Sequence, residues 1–205
     1  WRASLPSDAP NHFLINVQTD AVEGVRAFLR ERDLRDVELF PMVRGRLTAL
    51  NGRTVGPEDY ANPRAQRLVA REFNLSWADA LQEDNRILAG RWWNADDRGQ
   101  GVASVEVGLA EELGIALGDT LRFQIAGQDI EAKVMSLRSV EWDSFRANFF
   151  VVFPSGVLEN YPATWITSFY LPPDRKPVLA ELVRQYPSIT ILDVEALMTK
   201  VREIV

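Results

Sequence analysis

Glu141 and Asp143 stand two positions apart in "SVEWDSFRANFFVVFP" (residues 139–154), beside Trp142 and Phe145. Two carboxylates can act as general acid and base. An aromatic wall raises the pKa of a neighbouring carboxyl. A small hydrolase using Glu141 and Asp143 is therefore one class to test. The spacing is a common one, however, and no sugar-binding constellation accompanies it, so a solvated loop between strands fits the same residues. "GRWWNADDRGQG" (residues 90–101) sets Asn94, Asp96 and Asp97 among glycines. Calcium loops place oxygen ligands at alternate positions and close with a Glu. Both features are missing, and the stretch reads as an exposed acidic turn. His12 is the single His and there is no Cys. Thiol chemistry, Cys-ligated zinc and a His-rich metal centre are thereby excluded. Ser155 in "PSGVL" does not sit in G-x-S-x-G, and neither a P-loop nor a dinucleotide fingerprint occurs. The expectation is no catalytic, cofactor-binding or metal-binding residue.

Aromatic side chains are the remaining chemistry. Six Trp is an unusual count. Trp92, Trp93 and Trp142 fall near turns, with Phe145 and Tyr161 in the same stretch of chain. Two roles are open to them: a groove for an apolar ligand or partner, or the core of a small β-rich subdomain. These five are the candidate partner or ligand surface.

The elements that must position them follow from periodicity. "HFLINVQ" (His12–Gln18) has strand bias. Asp20 and Glu23 occupy capping-box positions, and Val22, Val25, Phe28 and Leu29 recur at helical spacing through Arg32. "VELFPMVRGRLTALNG" reads as a long strand that Pro41 makes an edge or bends. "GRTVGPEDYANPRAQR" (Gly52–Arg67) reads as a surface loop. Near the other end, "WITSFYLPP", "PVLAELVRQY", "SITILDV" and "VEALMTKVREIV" read as strand, helix, strand and a final helix. Between them lie a strand (Val102–Val107), a short helix (Leu109–Leu113) and a hairpin. In the hairpin Leu121, Phe123 and Ile125 alternate with polar residues, and Ile130, Ala132, Val134 and Ser136 share one face. "NFFVVFP" reads as a buried strand. The expected fold is α+β in two subdomains. Residues 1–77 and 164–205 form a strand-helix-strand subdomain from both termini, and residues 78–163 form an inserted β-rich subdomain.

The 205 residues suffice to bury a real core. A net charge of −6 with scattered Lys and Arg argues against nucleic acid as a partner. No apolar run approaches the length of a membrane-spanning helix. The chain starts at Trp1 without Met, and Val201, Ile204 and Val205 interrupt a helical pattern, which suggests a piece of a longer polypeptide.

"VASVEVGLAEELGIALGDTLRFQIAGQDIEAKVMSLRSV" resembles the extracytoplasmic domain of FtsX/MacB-superfamily ABC transporter permeases, through Leu109, Leu113, Gly114, Ile115, Gly118, Asp119 and Leu121. "PSDAPNHFLINVQ" and residues 142–171 look closer still to YbbP-like permeases, and the resemblance covers nearly the whole chain. It implies an α+β "Porter" subdomain carrying an inserted β-rich "Sabre" subdomain, on the periplasmic side of a bacterial inner membrane. Transmembrane helices would flank Trp1 and Val205. The resemblance also implies a non-catalytic domain without cofactor, since ATP is hydrolysed by a separate cytoplasmic subunit. Its work would be mechanotransmission, with extraction or export of lipids or other hydrophobic compounds. A periplasmic esterase of the lysophospholipase type is an implied partner, and no family catalytic residue carries over. A free-standing periplasmic adaptor is the remaining alternative.

Overall fold

A computed structural model describes residues 8–197. Trp1, Val201, Ile204, Val205 and most of the expected final helix lie outside the described residues; residues 194–197 are helical.

The elements follow the side-chain patterns. Strand β1 (His12–Gln18) leads through a 3₁₀ turn into helix α1 (Val22–Glu31). The expected capping box does not form. Asp20 is already inside the 3₁₀ turn, Ala21 takes the cap position without a side-chain bond, and Glu23 pairs with Arg26 instead. β2 (Phe40–Leu50) and β3 (Arg53–Thr54) follow. The expected loop at Gly52–Arg67 holds the start of a helix, α2 (Pro63–Ala70). Asn62 caps it by accepting from the Arg64 amide, Pro63 pre-sets its first turn, and Ala65, Leu68 and Val69 bury its apolar face. Next come β4 (Phe73–Trp77), β5 (Asn85–Gly90) and β6 (Val102–Glu106), then α3 (Val107–Leu113). The hairpin is β7 (Thr120–Ile125) and β8 (Gln128–Val140). β9 (Val151–Phe153), β10 (Thr164–Phe169), α4 (Pro177–Gln185) and β11 (Thr190–Asp193) complete the order. The fold is mixed and sheet-rich, with few helices.

Among the described residues two compact units emerge: residues 8–41, 142–147 and 164–197 in the first, residues 42–141 and 148–163 in the second. In the first unit β1 lies between β10 and β11, antiparallel to both. Leu14 and Val17 of β1 bury against Val25, Phe28 and Leu29 of α1 and Leu182 of α4. Asn16 takes φ of +61 where the β1–β10 register shifts, a conformation Asn tolerates better than most residues.

In the second unit the pairings close on themselves. β2 pairs β4, β4 pairs β9, β9 pairs β6, β6 pairs β8, β8 pairs β7, and β7 returns to β2. Closure removes the unpaired edges an open sheet would leave, and β5 extends β8 outside the ring. Val43, Leu47, Phe73, Leu75, Leu121, Phe123, Val151 and Phe153 share this unit's core with Leu68 and Val69 of α2. This division differs from the one expected at residue 77. β2, α2 and β4 join the ring because their apolar side chains fill its core, while residues 142–147 go with the first unit. Pro41 stands at the start of β2, and from Val43 onward the strand is paired, so it is no edge strand.

The Gly-Asp stretch is a structural joint. Gly114 ends α3 in the left-handed region at φ of +70, where only Gly is unstrained. Asp119 accepts from the Ala116 amide (2.8 Å) and from Asn51 Nδ2 (3.0 Å), and Asn51 Oδ1 accepts from the Thr120 amide (2.8 Å). Both carboxylate oxygens are thus occupied in tying the α3–β7 turn to the β2–β3 turn.

Candidate functional site

The first unit carries a cleft of about 440 Å³ lined by His12, Lys176, Leu179, Ala180, Val183, Ile191 and Asp193. β1 brings His12, α4 brings Leu179, Ala180 and Val183 on one face at helical spacing, and β11 brings Ile191 and Asp193. Lys176 stands just before α4. Leu179, Ala180, Val183 and Ile191 make its lining mostly aliphatic, and Lys176 and Asp193 bring both signs of charge to it. The volume falls in the range of small-molecule sites, though the depression lies largely open to solvent.

His12 is 2% exposed. Its charge is set by its neighbours. Burial pushes its pKa below the ordinary 6.5, Asp193 and Glu195 oppose that, and Lys176 adds to it. At pH 7 the ring is neutral, so the 3.7 Å approach of Nε2 to Asp193 Oδ2 is not an ion pair. Burial works against the Asp193 carboxylate, but the Ala196 amide, His12, Lys176 and the Glu195 amide together hold its pKa below the usual value. Lys176 Nζ lies 3.6 Å from Asp193 Oδ2.

The five aromatic residues divide between the units. The Trp92 and Trp93 rings lie against each other, tilted by 30° with centroids 3.8 Å apart, and their indoles donate to the Asp79 and Ala78 carbonyls respectively, both at 2.8 Å. Trp93 is buried and Trp92 half-buried. The pair thus pins the end of β5 to the end of β4. Tyr161 packs, half-buried, on the core of the second unit. Trp142, 45% exposed, and half-buried Phe145 belong to the first unit's segment Trp142–Ala147.

Glu141 and Asp143 are both exposed, on different units. In the acidic turn, Asp97 accepts from both Arg91 nitrogens (2.9 and 3.1 Å) and from the Asn94 amide (2.9 Å), which holds its carboxyl below the usual range. Asp97 is therefore a brace of the turn. Among the described residues no three His, Asp or Glu side chains converge to hold a metal ion.

Sequence reasoning missed two features. One is the cleft, whose His12, Lys176 and Asp193 are far apart in the chain. The other is a buried polar cluster in the second unit. Arg138 of β8 is fully buried and donates to Asn85 Oδ1 (3.1 Å) and to the Phe149 carbonyl (2.5 Å). Burial pushes its pKa down to about 10 against the opposing pull of Glu106 and Asp84, so it stays charged at neutral pH. The signal was present: Arg138 continues the inward series Ala132, Val134, Ser136.

Among the described residues no helix is long and apolar enough to cross a membrane. No protein-family model matches the chain. Over 202 residues, 98% of its length, it is 41% identical to the Escherichia coli ABC transporter permease YbbP, itself described as uncharacterized. Along nearly its whole length the chain is thus similar to one part of an ABC transporter permease. It spans 24% of the length of that YbbP relative. A solved domain of a Porphyromonas gingivalis protein, described as a candidate permease, aligns with 93% of the chain and 90% of its own at 12% identity and a TM-score of 0.42. That likeness is too loose to add to what YbbP gives.

Proposed function

We propose that this chain is a non-catalytic periplasmic domain of an inner-membrane ABC transporter permease. The observation that carries the reading is the 41% identity to YbbP along almost the entire chain. In this reading ATP is hydrolysed by a separate cytoplasmic subunit, reached through membrane helices outside this chain. The domain transmits that work to the periplasm, where lipids or other hydrophobic compounds are extracted or exported. Two units with separate cores suit a Porter-like and a Sabre-like body, with the β2–β4 region assigned to the latter. Trp142 and Phe145 in the first unit, and Trp92 and Tyr161 in the second, remain the residues proposed to meet a partner or ligand, each pair within its own unit, while Trp93 is buried and drops out of that surface; a periplasmic esterase is the proposed partner.

The test uses the full-length protein in its own cells. Protease added to spheroplasts should cleave this domain without lysis, and the solubilised protein should carry an ATP-binding subunit. Lipid should stimulate the ATPase of that complex, and Trp142→Ala with Phe145→Ala should weaken esterase capture. Protection from external protease, or absence of an ATP-binding subunit, would refute the reading.

A further inference from the structure

The polar side of the first unit's cleft has a defined hydrogen-bond polarity. Asn11 donates from Nδ2 to the Leu171 carbonyl (2.9 Å), and its Oδ1 accepts from the Leu171 amide (2.8 Å). That pairing fixes Oδ1 as an acceptor. His12 Nδ1, 2.8 Å from it, must then be the protonated nitrogen. The neutral ring consequently presents the bare lone pair of Nε2 on the side of Asp193, whose Oδ2 is 3.7 Å away. Two acceptors at this spacing can share one N–H donor group lying between them. Lys176 reaches Asp193 only at 3.6 Å, with its side chain 58% exposed, and such a pair contributes little. It can be exchanged for other partners at small cost. Beside these polar groups, Leu179, Ala180, Val183 and Ile191 supply an aliphatic lining with no aromatic ring on which a sugar would stack.

We propose that this cleft binds a zwitterionic amphiphile: its primary ammonium lies between His12 Nε2 and Asp193 Oδ2, its anionic group faces Lys176, and its aliphatic chain lies along Leu179, Val183 and Ile191. Both signs of charge are met, and the chain removes the half-exposed aliphatic face of α4 from water. A quaternary ammonium lacks the N–H that the two acceptors require. An anionic amphiphile without an ammonium faces the Asp193 carboxylate with nothing to offset it. The assignment rests on the cleft's own geometry, so its failure leaves the transporter reading standing, and failure of that reading leaves the cleft.

The single histidine supplies the probe, because one imidazole Hε1 resonance reports the cleft alone. The 205-residue chain is titrated by NMR with short-chain lysophosphatidylethanolamine below its micelle concentration. The expected result is a saturable shift of the His12 resonance. Lysophosphatidylcholine and lysophosphatidic acid should bind about tenfold or more weakly, the loss from one charge-assisted hydrogen bond. Headgroup phosphoethanolamine without a chain should give no saturation in the same range. Asp193→Asn keeps the oxygen that caps Ala196 and should lose the preference for a primary ammonium. Ala180→Trp, at an exposed position, should fill the slot and abolish the shift while leaving the backbone spectrum folded. Equal affinity for the three lysolipids, a shift that survives Ala180→Trp, or no saturable shift overturns the proposal.

Discussion

His12 is held neutral by the first unit's own packing, and that has a consequence for stability against pH. The folded pKa lies below 6.5, chiefly through burial. Between the folded value and 6.5 the unfolded chain binds more protons than the folded one. Stability must therefore rise with pH across that window and level off above it. Asp193 adds a second rise below its ordinary 3.8, since its folded pKa is also depressed. The groups facing the imidazole give the signs for variants. Lys176→Met removes a cation and should raise the His12 pKa; Asp193→Asn removes an anion and should lower it further. An NMR titration of the imidazole reads all three values, and a wild-type ring titrating at or above 6.5 would contradict the account. Little of this was legible in the sequence. His12 stood out as the sole histidine, but its tautomer depends on Asn11 bonding to Leu171, and its charge on Lys176 and Asp193. No periodicity links positions so far apart.

At the scale of elements, the hairpin β7–β8 was legible because its alternation is strict and its turn ends in Gly127. What the sequence concealed was strain. Ala126 and Gly127 both take positive φ, +49 and +81, as a type I′ turn demands. Ala lacks the side-chain oxygen that lets Asn tolerate this region, and it is exposed, so nothing packs against it in compensation. Ala126→Asn should stabilise the chain by up to about 1 kcal/mol in urea unfolding; a loss of stability would mean that the turn is not strained. Lower in β8 the same alternation carries Ser136 and Arg138 inward. Ser136 Oγ and Ser104 Oγ are 2.7 Å apart, and Arg138 draws on Glu106, whose Oε1 accepts from the Leu109 amide at the start of α3. Arg138→Met removes the buried cation that Glu106 and Asp84 answer to, and should cost roughly 3–5 kcal/mol. Adding Glu106→Gln keeps a carbonyl oxygen for the α3 cap and should recover part of the loss. Full stability of the single variant would show that this cluster is not coupled. Helix α2 is masked in the sequence because Gly52, Gly56 and Pro57 mark a loop, and the helix-start signal at Asn62–Pro63 follows them within the same stretch.

For the molecule as a whole, sequence neighbourhood and packing partners diverge. The strand-helix-strand run β1–α1–β2 invites one layer. In the structure only the first residues of β2, Phe40 and Pro41, stay with the first unit, and from Met42 onward the strand belongs to the ring. Composition cannot reveal this, since Val43 and Leu47 would suit either core. Two separate clusters of buried side chains give a measurable expectation. Regions with their own cores open as their own cooperative units. Leu14→Ala lies in the first core and Phe123→Ala in the second, each fully or almost fully buried. Each truncation should cost about 2–5 kcal/mol of its own unit's stability. Hydrogen exchange should then show Leu14→Ala accelerating β1, β10 and β11 while β6, β8 and β9 keep their protection, and Phe123→Ala doing the reverse. The ring should also be the slower exchanger in the wild type, because β6, β8 and β9 are paired on both sides, whereas β11 pairs with β1 alone among the described strands. If either substitution speeds exchange in both units by the same factor, the chain opens as one body and the two cores share a single cooperative transition.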